Sequence, residues 1–148
     1  MSVIHTAVVS YTVTTHREIA ETPDGRRLIV SRQIDASLDR VWDLFIDTQQ
    51  WPRWGPSITT VECRDRRISE GTTGRIRTVG GLRVSFVVTS CADHRWTWRV
   101  AGIPATGHRV ERVDGGCRAA FEIPLLAAPY AAVCRRALRN IDALATTS

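Results

Sequence analysis

A histidine on an apolar strand is the side chain in this sequence with the greatest capacity for chemistry. His108 alternates with Thr106 and Val110, so the three side chains share one face of the predicted strand. A buried imidazole titrates near neutral pH and can accept or donate a proton. The sequence therefore supports three roles for His108: contact with a bound molecule, general acid–base catalysis, or a structural place in the core.

The tryptophans are the second candidate group, since five indoles are many for a chain of 148 residues. Trp51 and Trp54 fall in a short segment punctuated by prolines, where a core needs no indoles, and we expect them at the rim of a cavity. Trp42 follows helical spacing and is expected in the core. Trp98 fits a cavity wall and the core equally well. Tyr130, at the start of the closing helix, either presents its hydroxyl to the same cavity or packs in the core.

Other kinds of catalytic site find no support in the sequence. The four histidines show no HxH or HExxH spacing, so no metal site is predicted. The chain has no lysine, which excludes Schiff-base chemistry and covalently bound pyridoxal phosphate. No GxSxG motif occurs, and Gly71–Gly74 lacks the lysine and helix that follow a phosphate-binding loop. We expect no cofactor.

Composition indicates one ordinary globular domain. The chain is 43% hydrophobic and 24% charged, with a net charge of +5. All twenty basic residues are arginines interleaved with acids, which favours a solvated surface over a nucleic-acid site. No apolar run is long enough for membrane insertion, and the N-terminus lacks the features of an export signal. The four cysteines have no paired spacing, so we expect a cytoplasmic protein with reduced thiols.

The first elements are predicted from turn residues and periodicity. The sequence Thr22-Pro23-Asp24-Gly25 predicts a hairpin between Tyr11–Ala20 and Arg26–Asp35. Ser37 is the expected N-cap of a helix that ends before Pro52. Its buried stripe is formed by Leu38, Val41, Trp42 and Phe45.

The rest of the chain predicts a run of strands and one long helix. The strands are expected at Thr59–Arg64, Gly71–Val79, Leu82–Ser90, Arg95–Ala101, Thr106–Val113 and Cys117–Ile123. Alternation groups Leu82, Val84, Phe86 and Val88 on one side, Trp96, Trp98 and Val100 on one side, and Cys117, Ala119, Phe121 and Ile123 on one side. The closing helix starts at Pro129 and extends about 27 Å. Glu122 is expected to be solvated. Arg75 and Arg77 are expected to face outward, and the opposite register would place Arg77 inside.

Two segments resemble a known superfamily. The strand followed by SLDRVWDLFIDTQQWPRW, and the later stretch ATGHRVERVDGGCRAAFEIPLLAAPY with its helix, resemble the START-like, helix-grip (SRPBCC) superfamily, which includes bacterial polyketide cyclase/dehydrase proteins. The resemblance covers about residues 28–145. It implies an α+β helix-grip fold, in which a curved antiparallel sheet of about seven strands grips a long C-terminal helix around a deep cavity. Two short helices follow the first core strand.

The resemblance also implies a domain division and a ligand site. The START-like domain would be 28–148, and 1–27 would add an edge strand or hairpin arm, cap the cavity mouth, or build a homodimer contact. The expected ligand-binding residues are Trp51, Trp54, Ile58, Ile76, Thr78, Phe86, Val88, Ser90, Trp98, His108, Phe121, Tyr130 and Cys134. Family members that close aromatic rings usually carry an inward arginine and a tyrosine. The matching positions look like Ser90 and Ile58, which favours a more apolar cavity.

The leading functional hypothesis is a pocket protein for an apolar small molecule. The ligand would be a polyketide-type intermediate, and His108 would move a proton during its cyclisation or dehydration while the cavity holds a reactive geometry. The first alternative is a non-catalytic carrier or sensor of a lipid-like ligand. The second is an interaction module that binds no ligand and uses the basic outer face.

Overall fold

The structure is a computed structural model that describes residues 15–147. Within these residues, eight antiparallel strands form one curved sheet. They are β1 His16–Thr22, β2 Gly25–Ile34, β3 Ile58–Cys63, β4 Thr73–Thr78, β5 Arg83–Ala92, β6 Arg95–Val100, β7 Ile103–Val113 and β8 Gly116–Pro124. Their order across the sheet is β1-β2-β8-β7-β6-β5-β4-β3. The helices are α1 Leu38–Ile46, α2 Trp51–Trp54, a 3-10 helix Leu125–Tyr130 and α3 Ala131–Thr146. The predicted α+β helix-grip architecture is confirmed.

The first hairpin forms where the turn residues predict it. β1 and β2 pair from His16 opposite Ser31 to Thr22 opposite Gly25. Gly25 has a φ of 103°, a value that glycine adopts without strain. A strand from the predicted 1–27 extension therefore forms one edge of the sheet, while the division of the chain at residue 28 stays a prediction. Residues 1–14, which include the start of the predicted Tyr11–Ala20 strand, lie outside the described residues.

Polar contacts at the N-terminal end of helix α1 cap the helix and join it to α3. The Ser37 side chain accepts a hydrogen bond from the Arg40 backbone amide at 3.1 Å, which confirms the predicted N-cap. The Arg40 guanidinium donates to the carbonyl oxygens of Ala145 and Leu144 at 2.7 and 3.0 Å. These carbonyls belong to the last turn of α3, where the helix dipole favours a cation. Through these hydrogen bonds, Arg40 in the first turn of α1 joins α1 to the C-terminal end of α3.

Helix α3 packs against the sheet through one apolar stripe. Its buried residues are Ala131, Cys134, Ala137, Leu138, Ile141 and Ala145. The predicted closing helix is confirmed, but it starts at Ala131 and not at Pro129. The preceding residues form the 3-10 helix, which contains Pro129 and buries none of its side chains. At 1.5 Å per residue, α3 is about 24 Å long.

Glu122 is buried, and the prediction that it is solvated is wrong. It points to the face of β8 opposite Phe121, yet only 1% of it is exposed. Arg95 donates to Glu122 Oε1 at 2.7 Å, and Arg109 Nη1 lies 3.5 Å from Oε2. Gly107 stands opposite Glu122 in the sheet and leaves the space that the carboxylate occupies. Alternation gives the face of a side chain but not the partners that cover it.

The prediction that Leu82 belongs to the strand Leu82–Ser90 is wrong, because β5 begins one residue later at Arg83. Leu82 lies in the turn between β4 and β5 and is 65% exposed, so it does not share the buried side of Phe86 and Val88. Arg75 and Arg77 are both exposed and flank the buried Ile76. The outward register is therefore the one that forms.

Candidate functional site

A small cavity lies between the segment that follows α2, the strands β6 to β8 and the first turns of α3. Its volume is about 30 Å³. It is lined by Trp51, Trp54, Gly55, Pro56, Ser57, Ile58, Trp96, Trp98, Thr106, His108, Phe121, Tyr130, Val133, Cys134 and Ala137. That volume holds about one or two water molecules, whereas a pocket for a drug-sized ligand has roughly 300–1,000 Å³. The deep cavity that the resemblance implies is therefore largely filled by the chain itself.

Stacked and edge-on aromatic rings pack together beside the cavity. The Trp96 ring stacks on Trp51 at 5.2 Å between centroids and on His108 at 3.8 Å, with interplanar angles of 2° and 13°. Trp98 meets Trp96 edge-on at 5.3 Å, and Phe121 meets His108 edge-on at 5.1 Å. Offset-stacked and edge-on pairs are the favourable arrangements of aromatic rings. The cavity is thus the gap left beside an ordered aromatic cluster.

Trp51 and Trp54 lie in the core, and the expectation that they form a rim is corrected. Trp51 is 0% exposed, and its Nε1 donates to the Phe45 carbonyl at 2.9 Å. Trp54 Nε1 donates to the Leu44 carbonyl at 2.7 Å. These carbonyls belong to the last turn of α1, where helix carbonyls lack intrahelical partners. The two indoles therefore close the end of α1 and also line the cavity from the inside.

A chain of hydrogen bonds determines which ring nitrogen of His108 carries the proton. Trp98 Nε1 donates to Thr106 Oγ1 at 3.2 Å, and Thr106 Oγ1 lies 3.1 Å from His108 Nε2. His108 Nδ1 lies 3.3 Å from the Trp96 carbonyl oxygen. A carbonyl only accepts, so Nδ1 carries the proton and the Thr106 hydroxyl donates to Nε2. In this neutral tautomer, both ring nitrogens of His108 have a hydrogen-bond partner.

Burial keeps the imidazole neutral over the whole physiological range. Desolvation lowers the pKa of His108 to about 3, and the nearby Arg95 charge lowers it further, while the hydrogen bond to the Trp96 carbonyl acts in the opposite direction. A general base works best when its pKa is near the working pH. His108 therefore lines the cavity as a neutral, packed ring, and its lowered pKa does not suit a general base near pH 7.

A polar pair lies at the solvent-exposed side of the cavity, which we call its mouth. The Tyr130 hydroxyl lies 2.7 Å from the Ser57 hydroxyl. Desolvation raises the pKa of Tyr130, so the phenol stays protonated. Further inside, burial raises the pKa of Cys134 to about 12. In the described part of the chain, no cluster of three or more His, Cys, Asp or Glu side chains could hold a metal ion.

Eight of the predicted ligand-binding residues line the cavity and five do not. Those that line it are Trp51, Trp54, Ile58, Trp98, His108, Phe121, Tyr130 and Cys134. Those that do not are Ile76, Thr78, Phe86, Val88 and Ser90. All five lie on β4 and β5 without reaching the gap, and the Ser90 hydroxyl bonds to Thr97 at 2.6 Å.

Sequence reasoning missed several lining residues, and most of them carried a usable signal. Trp96 shares a predicted strand side with Trp98, and Thr106 shares one with His108. Val133 and Ala137 follow the helical stripe of α3. The remaining ones, Gly55, Pro56 and Ser57, have no signal beyond their position between Trp54 and Ile58.

Residues 26–146 match the family described as "Polyketide cyclase / dehydrase and lipid transport". The chain belongs to this family. The match spans both segments that carry the predicted resemblance, and it starts close to the beginning of β2. A search of curated proteins finds no significant match.

Solved structures share the fold of this family member at low sequence identity. Protein Ms6760 from Mycobacterium smegmatis is 18% identical, with a TM-score of 0.61, and the alignment covers 91% of this chain and 99% of that one. A Rhodobacter sphaeroides protein is 19% identical, with a TM-score of 0.66 and coverages of 87% and 97%. The solution structure of CalU16 from Micromonospora echinospora is 19% identical, with a TM-score of 0.65 and coverages of 93% and 77%. At these identities the likeness extends to the fold alone.

Proposed function

We propose that this polyketide cyclase/dehydrase family member binds an apolar small molecule in the cavity between α2, β6 to β8 and α3. The observation that carries the proposal is the lining, which is aromatic and aliphatic apart from the Thr106–His108 pair inside and the Ser57–Tyr130 pair at the mouth. Ligand pockets usually combine such walls with a few oriented polar groups. Because the free volume is about 30 Å³, a ligand must displace side chains as it enters.

The 3-10 helix Leu125–Tyr130 is the element best placed to open. It buries none of its side chains, and Ala127 breaks it with φ and ψ of −103° and 19°. The hydrogen bond between Tyr130 and Ser57 joins it to the segment before β3. Segments with little buried apolar surface open at low free energy compared with the rest of a fold. We therefore place the entry route between this helix and Ser57.

An unpaired donor indicates the chemical character of the ligand. Trp96 lines the cavity, and its indole Nε1 is buried without a hydrogen-bond partner among the described residues. An indole N–H can only donate, and a buried unpaired donor costs about 1–3 kcal/mol. A ligand with a carbonyl oxygen on an apolar skeleton would recover that free energy. A polyketide-type molecule has this composition, which agrees with the family description.

Carriage of the ligand is better supported than its chemical conversion. The titratable groups that line the cavity are His108, Tyr130 and Cys134, and the pKa of each is shifted by burial towards its neutral form. None of them is suited to exchange a proton near pH 7. Cyclisation or dehydration remains the second candidate because Trp96 Nε1 and the Tyr130 hydroxyl can both donate to a substrate carbonyl. In that case the cavity would act mainly by holding a reactive geometry.

Filling the cavity tests the proposal. The neutral aromatic probe 1-aminoanthracene should bind the wild-type protein saturably at one site, measured by its fluorescence. Val133→Phe places a ring into a cavity of about 30 Å³ and should weaken binding by about tenfold or more. The neighbouring Ala132 is exposed, so Ala132→Phe is the matched control and should bind like the wild type. Equal binding by both variants, or no saturable binding at all, would contradict the proposal.

Removing the bridge at the mouth tests the entry route. Tyr130→Phe deletes one hydroxyl of the pair with Ser57, and Ser57→Ala deletes the other. A hydrogen bond of this kind contributes about 1 kcal/mol, so each variant should bind and release the probe about fivefold faster with a smaller change in affinity. Stopped-flow fluorescence measures both rates. Because the two side chains form one bridge, the double variant should match the single ones, and additive effects would exclude this route.

A further inference from the structure

Exposed apolar side chains are concentrated at one end of the sheet. Among the described residues, the exposed large hydrophobic ones are Ile19, Val79, Leu82, Ile103, Leu125, Leu126 and Tyr130. All but Ile19 lie in or beside three connections: the β4–β5 turn, the β6–β7 turn and the 3-10 helix after β8. Neighbouring antiparallel strands alternate in direction, so these three connections meet at the same end of the sheet. We call Val79–Leu82, Ala101–Ile103 and Leu125–Tyr130 the apolar end.

The opposite end of the sheet has the composition expected of surface loops. Its connections contain Asp93 and His94 after β5, Asp114 after β7, and the charged stretch Arg64–Glu70 after β3. The three segments of the apolar end contain no charged residue, and the β1–β2 turn at the same end of the sheet adds Asp24, which pairs with Arg95. Leu126 is 102% exposed and cannot contribute to the core. Clustered exposed apolar surface of this kind marks an interaction site.

Two of the three segments of the apolar end adjoin Ser57 at the mouth of the cavity. The Val79 backbone amide donates to the Ser57 carbonyl at 3.1 Å, so the β4–β5 turn adjoins the segment before β3. The Ser57 hydroxyl pairs with Tyr130 of the 3-10 helix. Any surface that covers the apolar end therefore also faces the entry route into the cavity.

Arginines ring the apolar end on the strands behind it. Arg27, Arg77 and Arg99 lie within three residues of these strand ends and have no carboxylate partner in the described residues. The acidic residues closest to this end, Glu21 and Asp24, are paired with Arg26 and Arg95. The end is thus apolar at its tips and positively charged at its margin.

We propose that the apolar end docks on the surface of an anionic lipid bilayer, with the cavity mouth facing the lipid. Turn tips on neighbouring strand pairs are about 10 Å apart. Lipid can surround such separate tips, whereas a protein partner needs a matched face of about 800 Å². Arginines at the margin match a negatively charged headgroup layer. No helix in residues 15–147 is long and apolar enough to cross a membrane.

Vesicle binding tests the docking surface with ligand-free protein. The wild-type protein should co-sediment with vesicles of phosphatidylglycerol and phosphatidylcholine, and about tenfold less with phosphatidylcholine alone. Leu82→Ser and Leu126→Ser should each weaken binding by about tenfold, because each removes an aliphatic side chain from the lipid boundary. Ile19→Ser is the matched control, since Ile19 is 61% exposed but lies in the middle of the edge strand β1. It should bind like the wild type.

The charged margin gives an independent test of the same surface. Arg77→Gln and Arg99→Gln should each weaken binding to anionic vesicles by about fivefold, and added salt should reduce that difference. Arg112→Gln, at the opposite end of the sheet, should leave binding unchanged. Absence of binding to every vesicle, or equal losses in the Ile19 and Arg112 controls, would overturn the proposal and favour a protein partner. Val133→Phe should still bind vesicles, so failure of the cavity proposal and failure of this one are distinguishable.

Discussion

Replacing Trp51 with alanine is expected to lower the free energy of unfolding by about 3–5 kcal/mol, the usual range for deleting a fully buried aromatic ring. The Trp51 ring contacts Phe86, Trp96 and Trp98, and its N–H closes the end of α1 at the Phe45 carbonyl. The substitution therefore removes packing and leaves a buried carbonyl without its donor. Urea unfolding followed by circular dichroism measures the loss, since four other tryptophans keep the fluorescence signal complex.

Adding indole to Trp51→Ala distinguishes the loss of the Trp51 ring from a general disruption of the fold. The void left by Trp51→Ala is apolar, and dry apolar voids bind small aromatic molecules. Indole added at a concentration far above its dissociation constant should restore part of the lost stability by mass action. Trp42 is the matched control because it is half-buried and packs edge-on against His94. Trp42→Ala should lose about 1–2 kcal/mol and gain nothing from indole. A loss below about 1 kcal/mol for Trp51→Ala would show that the stack does not support the core.

The site and the hydrophobic core share the same side chains in this family member. Trp51, Trp96 and Phe121 fill space that a ligand would need, and they also hold α1 and α3 against the sheet. A ligand that enters must replace these contacts with its own. Affinity then depends on how much apolar area the ligand covers and on the unpaired Trp96 N–H. A small apolar molecule with one well-placed acceptor fits this requirement.

Local signals predicted the elements of the fold well. The Pro23-Asp24 turn, the Ser37 cap and the strand alternation around Phe121 each depend on residues that are close in sequence. Such local preferences do not depend on the conformation of the rest of the chain. Alternation groups His108 with Thr106 and Val110 on one face, whereas the inward direction of that face is implied by the family resemblance, and Trp98 fits a cavity wall and the core equally well.

Partners across the sheet could not be predicted in the same way. Glu122 is covered by Arg95, which is 27 residues away and reaches it only because β6 and β8 flank the same strand, β7. The free volume beside Trp96 depends on how several rings pack together. Side-chain packing of that kind is a property of the three-dimensional arrangement and leaves no trace in spacing. The sequence therefore indicates which residues line the site but not the volume of the cavity between them.

Acid should destabilise the protein through His108. The pKa of this imidazole is about 3 in the folded state and 6.5 in its ordinary range, so below pH 6.5 the unfolded state binds a proton that the folded state does not. The contribution of the neutral ring is complete above pH 6.5 and is lost progressively as the pH falls towards 3. At pH 4.5 the free energy of unfolding should be lower than at pH 7 by roughly 2–3 kcal/mol from this group alone.

The His108→Gln variant isolates that contribution from the titration of carboxylates. A glutamine amide can donate to the Trp96 carbonyl and accept from Thr106, but it does not titrate. The variant should be less stable at pH 7, because it loses the stack on Trp96, and its stability should fall less steeply with acid than that of the wild type. If His108→Gln and the wild type lose the same free energy between pH 7 and pH 4.5 in urea unfolding, then His108 is not held neutral in the folded protein. In that case His108 could transfer a proton near neutral pH. Catalysis of cyclisation or dehydration would then be better supported than non-catalytic ligand transport.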